Sequence, residues 1–195
     1  MALFTSLIIA SDYALTPALN VKLMDTMVFS SAYAFGFRIG AYVALLSELV
    51  WSLVSPYGFA GYLMPFLVGG ELLFALAGFA ASKIWGNPGD LSTHSVNNFF
   101  FGAMLAICAF VWDFETNIAT GLVAGAHTLT YLLSFEVLGI PFMLAHELSD
   151  FFLGSLLAPL VIVYFSRRFA RSGTKIAAET TSQISQDGLK VNQEK

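Results

Sequence analysis

Long apolar runs, separated by short polar pieces, occupy most of residues 1–168. An α-helix crosses the hydrocarbon core of a bilayer in about 20 residues, so runs of this length predict membrane helices. The clearest runs cover residues 2–19, 24–37, 39–55, 61–82 and 141–165, and another begins near Phe99. The pattern predicts an all-α integral membrane protein with about six transmembrane helices in one bundle.

The polar pieces have the composition of loops. Residues 20–22 resemble a loop at the membrane surface, and residues 55–58 (Ser-Pro-Tyr-Gly) form a turn signature, because Pro and Gly favour the required backbone angles. Residues 85–98 contain Gly, Pro, Asp and His and are predicted to be a polar loop. These connections are short enough to join neighbouring antiparallel helices.

One stretch does not divide simply. Apolar character continues from Phe99 to Ser134, which is too long for one span. Residues 118–134 are therefore an outer loop, a helix lying across the outer face, or a seventh span. The choice among these alternatives depends on the charged residues.

Composition supports a membrane protein. Apolar residues make up 57% of the 195 and charged residues only 11%, whereas soluble domains have about 25% charged residues. Residues 1–10 lack the basic leader and small-residue cleavage site of a secretory signal, so we expect a retained first helix. The single cysteine, Cys108, permits no intramolecular disulfide.

Basic residues near helix ends favour the cytoplasmic side. Arg167, Arg168 and Arg171 place the C-terminus inside; with six spans, the N-terminus and the loops of Arg38 and Lys83 are also inside. A seventh span would move those two loops outside, so six is the better count. We expect a multi-pass protein of the cell membrane with a six-helix domain at residues 1–171 and a disordered cytoplasmic tail at residues 172–195.

Acidic residues interrupt the apolar runs. At about 1.5 Å of rise per residue, Glu48, Glu71, Asp113 and the pair His146 and Asp150 fall between the outer surface and the midplane. An isolated carboxylate in hydrocarbon costs several kcal/mol, and few basic residues are near. The pattern predicts a water-accessible cavity that opens outward. The alternative is that these acids are protonated and hydrogen-bond between helices, and that the nearby Trp and Tyr are ordinary interfacial aromatics.

Six short motifs add a family resemblance. They are Asn20-Val21-Lys22-Leu23-Met24-Asp25, Phe35-Gly36-Phe37-Arg38-Ile39-Gly40, Trp51 through Pro56-Tyr57-Gly58, Trp112-Asp113-Phe114-Glu115-Thr116-Asn117, Gly139-Ile140-Pro141-Phe142 and His146-Glu147-Leu148-Ser149-Asp150. With the order and length of the segments, they resemble the substrate-binding S components of energy-coupling factor (ECF) transporters, the prokaryotic importers of vitamins and micronutrients. The resemblance covers residues 5–168.

The resemblance implies a six-helix protein that captures a small molecule beneath its outer loops and catalyses no reaction. The implied partners are a membrane coupling subunit and two cytoplasmic ATPase subunits. No phosphate-binding loop motif occurs in the chain itself. Ala10 and Ala14 fit the small-residue pattern that contacts the coupling subunit. We expect no cofactor, no bound metal and no nucleic-acid partner.

The residues predicted to bind substrate are acids and aromatics of the outer half together with their polar neighbours. They are Asp25, Glu48, Trp51, Tyr57, Glu71, Trp112, Asp113, Asn117, His146, Glu147 and Asp150. Carboxylates pair with a positive charge and ring faces attract cations, so this set favours a cationic or amine-bearing aromatic molecule. Thiamine or its pyrimidine precursor has this character.

Two other functions remain open. Intramembrane carboxylates also relay ions or protons in coupled carriers. An intramembrane metalloenzyme is the third hypothesis, because His146-Glu147 begins like the zinc-binding His-Glu-x-x-His helix. The second histidine of that motif is absent, and His127 and His94 are the remaining candidate ligands.

Overall fold

The computed structural model describes residues 1–18, 20–86 and 96–169, and its regular secondary structure there is helical throughout. The helices are α1 (Ala2–Leu15), α2 (Met24–Phe35), α3 (Phe37–Val54), α4 (Met64–Trp85), α5 (Val96–Val123) and α6 (Leu129–Leu156). A single 3-10 turn, Gly61–Leu63, precedes α4. Beyond a turn at Leu157, residues 158–169 are again helical.

Four of these helices are long and apolar enough to cross a membrane: α3, α5, α6 and α4 with its preceding turn. Large apolar side chains cover their outward faces, among them Ile107 and Leu138, which are 65% and 71% exposed. Water is a poor solvent for such a surface, whereas lipid is a good one. These features are those of a membrane-embedded helical protein. Helix α1 is also apolar but shorter.

The helix ends alternate between two sides of the bundle. At one side, which we call the aromatic end, Phe4 of α1 packs against Phe35 of α2 at 6.0 Å and against Phe165 at 4.6 Å between ring centroids. At the opposite side, the polar end, Tyr13 of α1 contacts Trp51 of α3 at 5.6 Å. Successive helices therefore run antiparallel.

Helix α2 lies at the centre of the bundle. Every residue from Met24 to Tyr33 is buried, and glycines on its neighbours let other backbones approach closely. A Cβ on Gly78 of α4 would overlap the carbonyl oxygen of Phe29, and a Cβ on Gly40 of α3 would overlap Ala32. At about 18 Å, α2 is shorter than the hydrocarbon core, and protein surrounds it.

Helices α5 and α6 form a long antiparallel hairpin. The apolar pattern predicts that the last helix starts near Pro141, but α6 begins at Leu129 and contains Pro141 in its interior. Thr128 caps this earlier start by accepting a hydrogen bond from the backbone N–H of Tyr131 at 3.3 Å. Proline is tolerated inside membrane helices because neighbouring groups satisfy the freed backbone.

The hairpin also accounts for residues 118–134. Helix α5 continues to Val123, and the connection to α6 is residues 124–128, where Gly125 adopts a φ of +83°. Gly121 and Gly139 permit close packing, because a Cβ on Gly139 would overlap Asn117. The stretch is therefore divided between two helices.

The other predicted boundaries differ by less. Helix α1 ends at Leu15, before the predicted limit at residue 19, and Pro17 follows it. Helix α4 starts at Met64 after the 3-10 turn and extends to Trp85. Most of the predicted polar loop at residues 85–98, and the predicted tail at residues 172–195, lie outside the described residues.

Candidate functional site

Each of the six helices contributes one buried carboxyl group at the polar end. We call this set the carboxyl cluster; its members are Asp12, Asp25, Glu48, Glu71, Asp113 and Asp150, none more than 4% exposed. Asp25 lies close enough to interact electrostatically with Asp12, Glu48 and Glu71 on one side and with Asp150 on the other. Asp25, at the start of the central helix α2, is therefore the central member of the carboxyl cluster.

His146 of α6 lies between three of these carboxyls. Its Nδ1 is 3.0 Å from Oδ2 of Asp113, and its Nε2 is 3.0 Å from Oδ2 of Asp25. Oδ2 of Asp150, one turn further along α6, is 3.9 Å from the same Nε2. Because α2, α5 and α6 each supply a partner, the imidazole joins three helices at one buried point.

Trp112 covers one side of this point. Its ring meets the His146 ring edge to face at 5.5 Å, and its indole N–H donates a hydrogen bond to the Leu67 carbonyl at 3.3 Å. The glycine before Glu71 makes room for it, because a Cβ on Gly70 would overlap the indole. His146 on one side and α4 on the other therefore fix the position of the indole ring.

Glu48 and Glu71 form the other side of the cluster. Glu48 accepts a hydrogen bond from the hydroxyl of Ser52 at 2.9 Å, and the carboxyl of Glu71 lies beside that of Asp25. One oxygen of Glu48 and one of Glu71 are buried without a hydrogen-bond partner.

Lys22, in the connection between α1 and α2, supplies a cation to this site. Its ammonium is 4.9 Å from the centroid of the Trp112 ring and 6.0 Å from that of Trp51. Burial lowers the pKa of Lys22, but nearby carboxyls, first Glu48 and then Asp25, raise it by more, so that the pKa lies above its ordinary value. The lysine thus occupies the type of environment that the sequence analysis assigned to a cationic ligand.

A cavity of about 390 Å³ lies against this lysine. Its lining includes Asp12, Asn20, Lys22, Trp51, Tyr57 and Phe142. Cavities of roughly 300–1,000 Å³ with aromatic walls and a few polar groups are typical of small-molecule sites. The Tyr57 hydroxyl donates a hydrogen bond to the Thr16 carbonyl at 2.9 Å, which joins the α3 end to the α1–α2 connection beside the cavity.

The structure brings most of the predicted substrate-binding residues together. Asp25, Glu48, Glu71, Asp113, His146 and Asp150 meet at the polar end, Trp51 and Trp112 flank Lys22, and Tyr57 lines the cavity. Asn117 lies elsewhere: its amide donates to Glu136 within the α5–α6 hairpin at 3.3 Å. Glu147 is partly exposed on α6 beside His146.

The remaining predicted residues are on the surface. Ala10 and Ala14 lie on an exposed face of α1 that also carries Leu3 and Leu7, which are 56% and 45% exposed. His127, a candidate metal ligand in the sequence analysis, is exposed in the 124–128 connection. His94, the other candidate, lies outside the described residues.

Lys22, Asp12, Asn20 and Phe142 are residues of the site that are absent from the predicted set. A signal for Lys22 is present in the sequence, because the six-span topology that places the loops of Arg38 and Lys83 inside leaves Lys22 on the outer side with the acids. Asp12 gave a weaker signal as a lone acid in an apolar helix; its carboxylate accepts a hydrogen bond from the backbone N–H of Leu23 at 2.8 Å and so fixes the start of α2. Asn20 and Phe142 lie within motifs of the family resemblance, but nothing in those motifs marks either residue as a ligand-binding residue.

No family model matches the chain, and comparison with curated proteins and with solved structures finds no match.

Proposed function

We propose that this protein is the membrane-embedded substrate-capture subunit of an ECF-type importer of vitamins or micronutrients. The observation that carries the proposal is the cavity of about 390 Å³ at the polar end, with Trp51 and Tyr57 in its wall and Lys22 joining it to the carboxyl cluster. A binding site of this size, with Asp12 of the carboxyl cluster in its wall, fits the capture of a small polar molecule.

The proposed topology has six spans in the cell membrane, with both termini cytoplasmic and the polar end outside. The antiparallel order of the six helices supports it, as does the distribution of basic residues: Arg38 and Arg167 lie toward the aromatic end, with Lys22 at the polar end. The cavity then faces the external medium, from which an importer takes its substrate.

The proposed partners are a membrane coupling subunit and two cytoplasmic ATPase subunits. Ala10 and Ala14 support a docking face on α1, because they are exposed and small and stand beside exposed Leu3 and Leu7. Small residues allow helices in a membrane to approach closely. Since the protein itself would not hydrolyse ATP, import of the substrate would depend on the ATPase subunits.

The proposed cargo is a cationic or amine-bearing aromatic compound such as thiamine or its pyrimidine precursor. The position of Lys22 supports this, because its ammonium lies over the Trp112 ring and among carboxyls. A ligand cation would compete with that ammonium for the same partners. Lys22→Met is expected to tighten binding of a cationic vitamin, measured by Trp fluorescence, and tighter binding of an anionic vitamin would contradict the assignment.

Co-purification tests the central proposal. The tagged protein is expected to retain a coupling subunit and two ATPases from its native membrane, and Ala10→Trp with Ala14→Trp is expected to remove them. Leu138→Trp, on the exposed face of α6, is the matched control for a bulky surface residue. Retention of partners by the α1 variant, or none by the wild type, contradicts the proposal.

A proton-coupled carrier is the second candidate, and the row formed by Asp113, His146 and Asp25 favours it. Both contacts in that row are 3.0 Å, short enough for proton transfer between neighbours. Uptake into liposomes by the purified protein alone separates the two functions. An importer subunit is expected to bind its substrate there without accumulating it, whereas a carrier accumulates it along a pH gradient.

A further inference from the structure

Three buried side chains of α2 and α6 lie close enough together to hold a metal ion. One ligand atom each from Asp25, His146 and Asp150 lies within 4.8 Å of the others. Nε2 of His146 is 3.0 Å from Asp25 Oδ2 and 3.9 Å from Asp150 Oδ2. Zinc bonds of about 2.1 Å at tetrahedral angles separate ligand atoms by about 3.4 Å. The two observed distances bracket this value, so small side-chain adjustments suffice.

Asp150 provides a second, independent observation. Its exposure is 0%, and neither of its carboxylate oxygens has a hydrogen-bond partner. A buried polar group without a partner is costly, and an ionised one is more so. Its nearest ion-pair contact is the 3.9 Å approach to His146. A cation between the two residues would satisfy a carboxylate that the protein alone leaves without a partner.

Asp113 supplies the third observation. It holds Nδ1 of His146 at 3.0 Å, on the side of the ring opposite the other two carboxylates. Metal-binding histidines almost always donate their second N–H to a carboxylate or carbonyl, which fixes the tautomer and the ring orientation. With Nδ1 protonated toward Asp113, Nε2 presents its lone pair to Asp25 and Asp150.

We propose that His146, Asp25 and Asp150 bind one divalent transition-metal ion of the Zn²⁺ class, with Asp113 as the residue that positions His146. One imidazole nitrogen and two carboxylate oxygens suit Zn²⁺, Co²⁺ or Mn²⁺, whereas Ca²⁺ and Mg²⁺ prefer oxygen ligands alone. The ion would also offset the excess of carboxyls over cations at this point. The site requires no partner subunit and holds whether or not the protein belongs to an importer.

The test is metal binding by the purified full chain in detergent after treatment with a chelator. Co²⁺ is the probe, because its visible absorption reports coordination by protein ligands, and Zn²⁺ added afterwards should abolish that spectrum. We expect one Co²⁺ per chain. Asp150→Asn and His146→Gln should each weaken binding at least 100-fold, and Asp113→Asn about 10- to 100-fold.

Glu136→Gln is the matched control, because Glu136 is another carboxylate of α6 that contacts Asn117 rather than the cluster; its Co²⁺ affinity should equal that of the wild type. Lys22→Met tests the site without removing a ligand. Loss of a neighbouring positive charge should tighten Co²⁺ binding about tenfold. Circular dichroism confirms that each variant is folded.

Absence of stoichiometric Co²⁺ in the wild type overturns the proposal, as does unchanged affinity in folded Asp150→Asn and His146→Gln proteins. If both ligand variants fail to fold, weaker or unchanged binding in Lys22→Met overturns it instead. Loss of the importer partners in co-purification would leave all of these results unaffected, so the two proposals fail separately.

Discussion

The aromatic end and the polar end of the bundle are packed by opposite chemistry. At the aromatic end, the rings of Phe4, Phe35, Phe165 and Phe169 pack against one another. At the polar end, six carboxyls, one from each helix, lie together with Lys22 and His146. Packed rings need no bound ligand to satisfy them, whereas several oxygens of the carboxyl cluster have no hydrogen-bond partner. The first end is built for stability, and the second has the features of a binding site.

Helix α2 connects the two ends, so the largest effect is expected where it is most tightly held. Gly78→Ala should destabilise the protein by about 3 kcal/mol or more, because the new Cβ would overlap the Phe29 carbonyl and neither backbone can move easily. Unfolding by SDS titration measures the change. Gly69→Ala, also on α4, is the control: its Cβ would come no closer than 4.0 Å to an atom of another helix, Glu115 Oε1. Equal effects of the two substitutions would show that α2 is not clamped there.

At the aromatic end, truncation of a ring should weaken the fold without affecting ligands. Phe4 is 2% exposed and contacts two other rings, so Phe4→Ala should lower the free energy of unfolding by about 3 kcal/mol through lost packing. Co²⁺ affinity of the folded fraction should stay unchanged. Leu3→Ala, at a 56% exposed position, should cost far less. A drop in Co²⁺ affinity with Phe4→Ala would mean that the ends are coupled.

At the polar end, a substitution should raise the free energy of unfolding rather than lower it. Asp150→Asn should raise the free energy of unfolding by about 1–2 kcal/mol in the presence of chelator, because it removes a buried carboxylate without hydrogen-bond partners from among other carboxyls. Adding Zn²⁺ should reverse the order, since only the wild type binds the metal. A destabilised Asp150→Asn protein under chelator would show that the carboxylate has a structural role.

The contrast between the ends also explains what the sequence could predict. Apolar runs locate helices because membrane solvation acts on each segment separately, and carboxyls within those runs stand out for the same reason. Glu48, Glu71 and Asp113 were found in this way. Lys22 was not assigned to the site, because a long side chain in a connection can reach inward only if the fold around it is known.

Helix boundaries in the hairpin depended on contacts between distant segments. In the sequence alone, Gly139 and Pro141 indicate the start of a helix. In the structure both lie inside α6, and Asn117 of α5 packs closely against α6 at Gly139. A pattern along one helix does not reveal that Asn117 bonds to Glu136 rather than to the carboxyl cluster. Local sequence therefore predicted the helices and the acids better than it predicted which acids meet.

The smallest expected effect concerns the wall of the cavity. Tyr57 is 69% exposed, and its hydroxyl bonds the Thr16 carbonyl at 2.9 Å. Tyr57→Phe keeps the ring and removes this bond, so the free energy of unfolding should fall by no more than about 1 kcal/mol. Hydrogen exchange in the 16–23 connection should nevertheless accelerate, because the bond ties that connection to the end of α3.

Tyr62→Phe, on a more exposed tyrosine at 85%, is the control and should leave exchange in that connection unchanged. Unchanged exchange in Tyr57→Phe would mean that the two other hydrogen bonds of the connection, from the Leu23 N–H to Asp12 and from Asn20 to the Phe142 carbonyl, hold it without Tyr57.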